Sequence, residues 1–128
     1  MTGACWFDYQ YRDAGNWKTF RSLLLSGCPD LPTDADAIRR TLDSGDLFVP
    51  EQVGIPVLQQ IHLTEHEVEN FEGDDLDHAF HEFVGLRTAR PDEISAAKPW
   101  GSLSALLDSF RVAGGRGWSV TASPFGRW

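Results

Sequence analysis

Apolar and polar residues alternate at the start of the chain, a pattern typical of a half-buried β-strand. Phe7, Tyr9 and Tyr11 alternate with polar neighbours, and a period of two with aromatic residues favours extended structure. Residues 12–16 are then rich in turn-forming side chains. A second stretch with strand character follows over residues 17–25. The pattern therefore predicts an antiparallel hairpin with a loop of about three to five residues.

Two later stretches have apolar residues at the three-to-four-residue spacing of an amphipathic helix. The first helix is predicted over residues 34–44, with Thr33 as its N-cap. The second is predicted over residues 103–112, with Ser102 as its N-cap. The glycine pair Gly114–Gly115 is expected to end the second helix, because glycine favours helix termination.

The rest of the chain gives shorter or ambiguous signals. Residues 47–49 fit either a short apolar strand or a buried connector, and residues 118–121 are a candidate last strand. Residues 87–99 are predicted to form a polar connector with two prolines. Residues 56–61 fit either a short helix or a strand. Residues 76–86 also fit both, and we predict a strand there because the residues that follow favour an extended exit.

These elements predict a single small α+β domain over residues 1–128, with an antiparallel sheet of four to five strands and two main helices. A hydrophobic fraction of 41% and a charged fraction of 23% are ordinary for a globular chain. No apolar run approaches the ~18–20 residues that a membrane-spanning helix needs. With no secretory signal pattern at its start, the chain is expected to be cytoplasmic.

The two cysteines, Cys5 and Cys28, are too few for a disulfide framework and are not spaced as a CxxC pair. We expect two reduced thiols, as is usual in the cytoplasm. A bridge between them would require that the first two strands place them side by side.

Negative charge is concentrated in residues 41–86, which we call the acidic segment. It contains eleven carboxylates and no Lys or Arg, in a chain with 19 acids, 11 bases and a net charge of −8. Such a field repels nucleic acid and anionic membranes, so neither is an expected partner. It attracts basic surfaces and accelerates encounter with them.

The acidic segment therefore predicts a basic protein partner, of the kind that an inhibitor, immunity protein or antitoxin meets. Five carboxylates and one aromatic residue are the candidate contacts: Glu65, Glu67, Asp74, Asp75, Asp77 and Phe71. The alternative is that these acids only keep the protein soluble. The sequence leaves the oligomeric state open.

All four histidines also lie in the acidic segment: His62, His66, His78 and His81. Imidazole and carboxylate groups are common ligands of transition metals, so these residues are candidate metal ligands. Their spacings of four and three fit no established zinc pattern, and HEXXH is absent. No cofactor is therefore expected, and a divalent-metal protein or small enzyme using these histidines is the alternative function.

Other catalytic signatures are also missing from the sequence. There is no Gly-x-Ser-x-Gly elbow. The glycine run at residues 114–117 follows a predicted helix, whereas a phosphate cradle precedes one. The sequence thus favours a non-enzymatic protein.

Three motifs resemble those of a group of small bacterial proteins of unassigned function. Phe7 to Lys18 reads F-x-Y-x-Y-R-D-x-x-N-W-K, Glu51 to Pro56 reads E-Q-V-G-I-P, and His78 to Phe83 reads H-x-x-H-E-F. The resemblance spans most of the chain and implies a small bacterial cytoplasmic α+β domain. It carries over no activity and no functional residue.

Overall fold

The computed structural model describes residues 3–12, 18–28, 30–58 and 80–119. Its elements are, in chain order, β1 (Gly3–Arg12), β2 (Lys18–Cys28), α1 (Leu31–Arg39), β3 (Leu47–Phe48), a 3₁₀ helix (Pro50–Gln52), β4 (His81–Thr88), α2 (Pro91–Ala96), β5 (Gly101–Ser102) and α3 (Leu103–Arg116). The predicted α+β class is confirmed. Within the described ranges, no helix is long and apolar enough to cross a membrane.

The strands form one five-stranded sheet in the order β3-β4-β1-β2-β5. β1 is central and pairs antiparallel with both β2 and β4, which confirms the predicted hairpin. β4 confirms the strand predicted for the part of residues 76–86 that the structure describes. β5 pairs parallel with β2, so the sheet is antiparallel except at this edge.

The hydrophobic core lies on one face of the sheet, which we call the inner face. Phe7, Tyr9 and Tyr11 are fully buried there, as the period-two pattern predicts. Ile38 of α1 and Phe110 of α3 join the same core. Both helices therefore cover the inner face, while the outer face of the central strands carries mainly polar side chains.

The first helix begins three residues earlier than predicted. Asp30 is its N-cap and accepts a hydrogen bond from the Thr33 amide, so the prediction of Thr33 as the cap is wrong. Pro32 lies in the first turn, where its missing N–H leaves no intrahelical bond unmade. The helix ends at Arg39, and residues 40–46 form turns.

The last helix is capped by Ser102, as predicted. It does not stop at Gly114–Gly115 but continues to Arg116, and Gly117 ends it with a positive φ of 94°. Gly114 has a packing role, because a Cβ there would lie 2.6 Å from the Thr41 carbonyl oxygen.

The sequence does not predict three short elements: the 3₁₀ helix, α2 and β5. One predicted strand is also wrong where it is described. α2 forms within the predicted connector because Pro91 is compatible with a first helical turn. The Arg90 amide donates to the Glu93 carboxylate over 2.9 Å, and this bond lowers the pKa of Glu93.

β5 consists of two residues that depend on pairing with β2. Trp118 and Ser119 lie in no strand.

Cys5 and Cys28 form a disulfide, with their Cα atoms 6.0 Å apart. The expectation of two reduced thiols is therefore wrong. The hairpin brings the cysteines together because Cys28 pairs with Gly3, two residues before Cys5. Both cysteines are buried in the core.

Candidate functional site

Most of the predicted partner contacts and candidate metal ligands lie outside the described ranges. This holds for all six predicted partner contacts, Glu65, Glu67, Asp74, Asp75, Asp77 and Phe71, and for His62, His66 and His78. The structure does describe residues 41–58 and 80–86 of the acidic segment. These ranges contain one histidine and four carboxylates: His81, Asp43, Asp46, Glu51 and Glu82.

His81 is fully buried at the start of β4. Its Nε2 accepts a hydrogen bond from the Leu58 amide over 3.0 Å. The imidazole also packs near Tyr11 and Phe48, with ring centroids 5.2 and 6.2 Å away. The Nε2 lone pair is used for this bond, so His81 cannot ligate a metal through Nε2 while it forms.

Tyr9 holds the same part of the chain from the next strand. Its hydroxyl donates to the Pro56 carbonyl over 2.6 Å, and burial raises the pKa of Tyr9 above its ordinary value. Residues 55–58, which are neither helix nor strand, are thus bonded to the sheet by two buried side chains. These bonds fix the position of the chain just before residue 59.

Asp43 and Asp46 form an acidic turn between α1 and β3. The Asp43 carbonyl accepts from the Asp46 and Leu47 amides over 3.3 and 2.9 Å. Ser44 and Gly45 between them have positive φ values of 54° and 83°. Both aspartates are exposed, and neither has an ion-pair partner among the residues that the structure describes. The turn therefore presents to solvent two negative charges that no described residue pairs.

The other two described carboxylates of the segment are not presented in this way. Glu82 forms an ion pair with Arg12, with a distance of 2.9 Å between Oε1 and Nε. Both carboxylate oxygens of Glu51 are shielded from solvent, and neither accepts a hydrogen bond from a described residue. Of the four, only Asp43 and Asp46 could meet a partner without rearrangement.

The outer face of the sheet carries a network centred on Asp8. Arg87 donates to Asp8 over 2.8 Å, Ser22 donates to the same carboxylate, and the Arg87 guanidinium stacks 5.4 Å from the Trp6 ring. The charges on this face are therefore largely compensated. Phe20 lies on the same face with 65% of its surface exposed.

The sequence could not identify Phe20 as a surface residue, because a single aromatic residue between polar neighbours has no clear face assignment. Its exposure follows from the register, in which Phe20 pairs with Gln10 on the face opposite to Tyr9 and Tyr11. Strand register is a tertiary property that local periodicity only partly determines.

No group of three or more His, Cys, Asp or Glu side chains is arranged to hold a metal ion among the residues that can be described. The metal prediction for His62, His66 and His78 stays a prediction. No known protein family, curated protein or solved structure matches the chain.

Proposed function

We propose that the protein is a small non-enzymatic binding domain, of the inhibitor, immunity or antitoxin kind, whose acidic segment meets a basic protein partner. The observation that carries the proposal is the charge distribution: eleven carboxylates and no Lys or Arg across residues 41–86. A basic partner would gain from this field both attraction during encounter and selectivity against other surfaces.

The acidic turn supports the proposal from the described part of the segment. Asp43 and Asp46 are exposed on a backbone fixed by hydrogen bonds, so a partner would not have to order them before binding. Lys or Arg side chains on the partner would supply the compensation that the described residues do not.

Salt should weaken this binding. Exposed charges act over a screening length of about 8 Å at physiological ionic strength, and over less at higher salt. A partner held by the acidic segment should therefore be retained at low salt and released at high salt.

The test is a pull-down from cells of the source organism at low and high salt, comparing three proteins. The first is the unaltered chain, and the second carries Asp74→Lys, Asp75→Lys and Asp77→Lys. The matched control carries three reversals outside the acidic segment, at exposed aspartates in different helices: Asp36→Lys, Asp92→Lys and Asp108→Lys. Both variants have the same net charge.

We expect the unaltered chain and the control to retain the same Lys- and Arg-rich protein at low salt, and the acidic-segment variant to lose it. Equal capture by all three proteins, or no basic protein at low salt, would contradict the proposal. Stoichiometric metal in protein purified without a His-tag would favour the metal-binding alternative.

The compartment is a separate part of the proposal. The resemblance to small bacterial proteins implies a bacterial cytoplasmic protein, whereas the Cys5–Cys28 disulfide favours an oxidising compartment, since cytoplasmic thiols are kept reduced. Alkylating intact cells before lysis distinguishes the two. Unmodified cysteines in the denatured protein would indicate an oxidising compartment, and two modified cysteines the cytoplasm.

A further inference from the structure

The described residues cover only part of the sheet edge beside β2. β5 pairs with β2 at Leu25 and Ser26, and the Trp100 amide donates to the Leu24 carbonyl over 2.8 Å. From residue 18 to residue 23, β2 has β1 on one side and no described strand on the other.

The direction of the free backbone groups follows from the Leu24 contact. Because the Leu24 carbonyl points away from β1, the backbone groups of alternate residues along the strand point the same way. Phe20 and Ser22 therefore direct their backbone N–H and C=O groups away from β1, in the plane of the sheet. Arg21 directs its backbone groups toward β1. Among the described residues, no backbone hydrogen bond outside the sheet ladders reaches Phe20 or Ser22.

The side chains beside this open edge have a defined chemistry. Phe20 is largely exposed on the outer face. Arg21 is the cross-strand partner of Tyr9, so it lies on the inner face, where its side chain is exposed. It forms no ion pair with a described residue. At Phe20 and Ser22 the edge thus offers backbone groups that no described residue pairs, with an apolar group on one face and a cation on the other.

We propose that this open edge binds an extended segment of a partner protein, which adds a strand beside β2 and presents an apolar side chain to Phe20 and a carboxylate to Arg21. Main-chain hydrogen bonds supply the attraction in this mode of recognition, and alternate side chains supply specificity. No residue of this edge belongs to the acidic segment, so the inference does not depend on the proposed function.

A second copy of the chain fits the edge less well than such a segment. Antiparallel pairing of two β2 strands about Arg21 would place the two Arg21 side chains directly opposite each other, and like charges in that position are destabilising. An exposed cation on an edge strand commonly prevents this kind of self-pairing. A carboxylate on the incoming strand would convert the same position into an attraction.

The probes are two capped peptides, Thr-Val-Glu-Val-Glu-Val-Thr and the same peptide with Lys in place of Glu. They are titrated into the isotope-labelled full chain and followed by amide NMR. We expect the Glu peptide to shift the Phe20 and Ser22 amides and slow their hydrogen exchange, with little change at the inward Arg21 amide. At this edge, as followed by the Phe20 and Ser22 amides, the Lys peptide should bind about twofold to fivefold more weakly, the ratio given by one cross-strand charge pair.

Two substitutions at Ser22 isolate the backbone contribution. Ser22→Pro removes the outward N–H, which an edge strand tolerates, whereas Ser22→Ala loses the same contacts to Asp8 and Arg87 but keeps the N–H. We expect Ser22→Pro to weaken the Glu peptide by about fivefold relative to Ser22→Ala. If Ser22→Pro does not fold, Arg21→Glu keeps the test decisive, because it should invert the peptide preference.

Three results would overturn the inference. The first is no perturbation of the Phe20 and Ser22 amides by either peptide, and the second is equal binding of the two peptides. The third is a dimer of the free chain in sedimentation experiments that Ser22→Pro abolishes and Ser22→Ala does not, which would assign the edge to a second copy.

Discussion

At the scale of single residues, two buried polar side chains bear most directly on the acidic segment. Tyr9 donates to the Pro56 carbonyl, and His81 accepts from the Leu58 amide. The two bonds differ in whether water can reach the backbone group that loses its partner. Pro56 is partly exposed, so water can replace a lost donor, whereas Leu58 is fully buried and its amide would stay unpaired.

Replacing Tyr9 with phenylalanine should therefore reduce the free energy of unfolding by only about 0.5–1.5 kcal/mol at neutral pH. Urea unfolding at pH 7 measures this change. A loss as large as that of a core truncation would show that the hydroxyl does more than bond Pro56.

Tyr9 should also make the protein sensitive to alkali. Burial raises the pKa of Tyr9 above its ordinary value of 10.0, so the folded chain keeps the phenolic proton more tightly than the unfolded chain does. The stabilisation is complete below pH 10.0 and is lost as the pH rises above it. We expect a loss on the order of 1 kcal/mol by pH 11 from this group. The loss should be smaller in Tyr9→Phe, and equal pH profiles for the two proteins would contradict the assignment.

Replacing His81 with phenylalanine should be more damaging, because it keeps an aromatic ring but leaves the Leu58 amide without its acceptor. We expect a reduction of about 1–3 kcal/mol in the free energy of unfolding. Hydrogen exchange at Leu58 should accelerate by more than global destabilisation explains. The control is His81→Gln, whose side-chain oxygen can accept the bond and should restore part of the protection.

At the scale of elements, the sequence predicts those that carry their own local signal. The aromatic alternation of β1 and the Ser102 cap of α3 are such signals, and both predictions are confirmed. β5 could not be predicted because its two residues become a strand only by pairing with β2. The open edge of β2 was missed for the same reason, since it depends on where β5 begins.

The glycine pair in α3 shows how tertiary contact overrides a local rule. Gly114 and Gly115 were expected to end the helix, yet both lie within it. A Cβ at Gly114 would meet the Thr41 carbonyl oxygen at 2.6 Å, whereas a Cβ at Gly115 meets nothing within 4 Å. Close approach between α3 and the turn after α1, not helix termination, requires glycine at the first position.

Alanine substitutions at these two positions should therefore have opposite signs. Gly115→Ala should stabilise the protein by up to about 1 kcal/mol through helix propensity. Gly114→Ala should destabilise it by about 1–3 kcal/mol, because the turn must shift to admit the methyl group. Thermal unfolding of the two variants measures these changes, and each variant serves as the control for the other. Stabilisation by both substitutions would show that the turn containing Thr41 moves freely.

At the scale of the whole molecule, the acidic turn and the open part of β2 lie toward opposite edges of one sheet. The acidic turn adjoins β3 at one edge, and the open part of β2 lies near the other. Three strand spacings separate β3 from β2, or about 14 Å. One partner could span both surfaces, or two partners could bind them at once. If one partner spans both, the triple Lys variant at Asp74, Asp75 and Asp77 and the Ser22→Pro variant should each weaken its binding. If there are two partners, each variant should weaken the binding of only one.

The disulfide is the covalent constraint on this architecture. It joins residues 23 positions apart, and a loop of this size corresponds to about 3 kcal/mol of stabilisation through the unfolded chain. Replacing both cysteines with alanine should lower the free energy of unfolding by about this amount. Added reductant should destabilise the unaltered protein but leave the double variant unchanged, and sensitivity of the double variant would contradict the assignment.

The bridge also determines what a break in the chain would do. Cys5 and Cys28 enclose the whole hairpin connection between β1 and β2. A protease that cuts any peptide bond between them leaves both fragments attached, and the pairing of β1 with β2 can persist. The nicked protein would migrate as one band without reductant and as two bands with it. The connection could thus be opened, or used to insert a reporter sequence, without separating the strands that the core depends on.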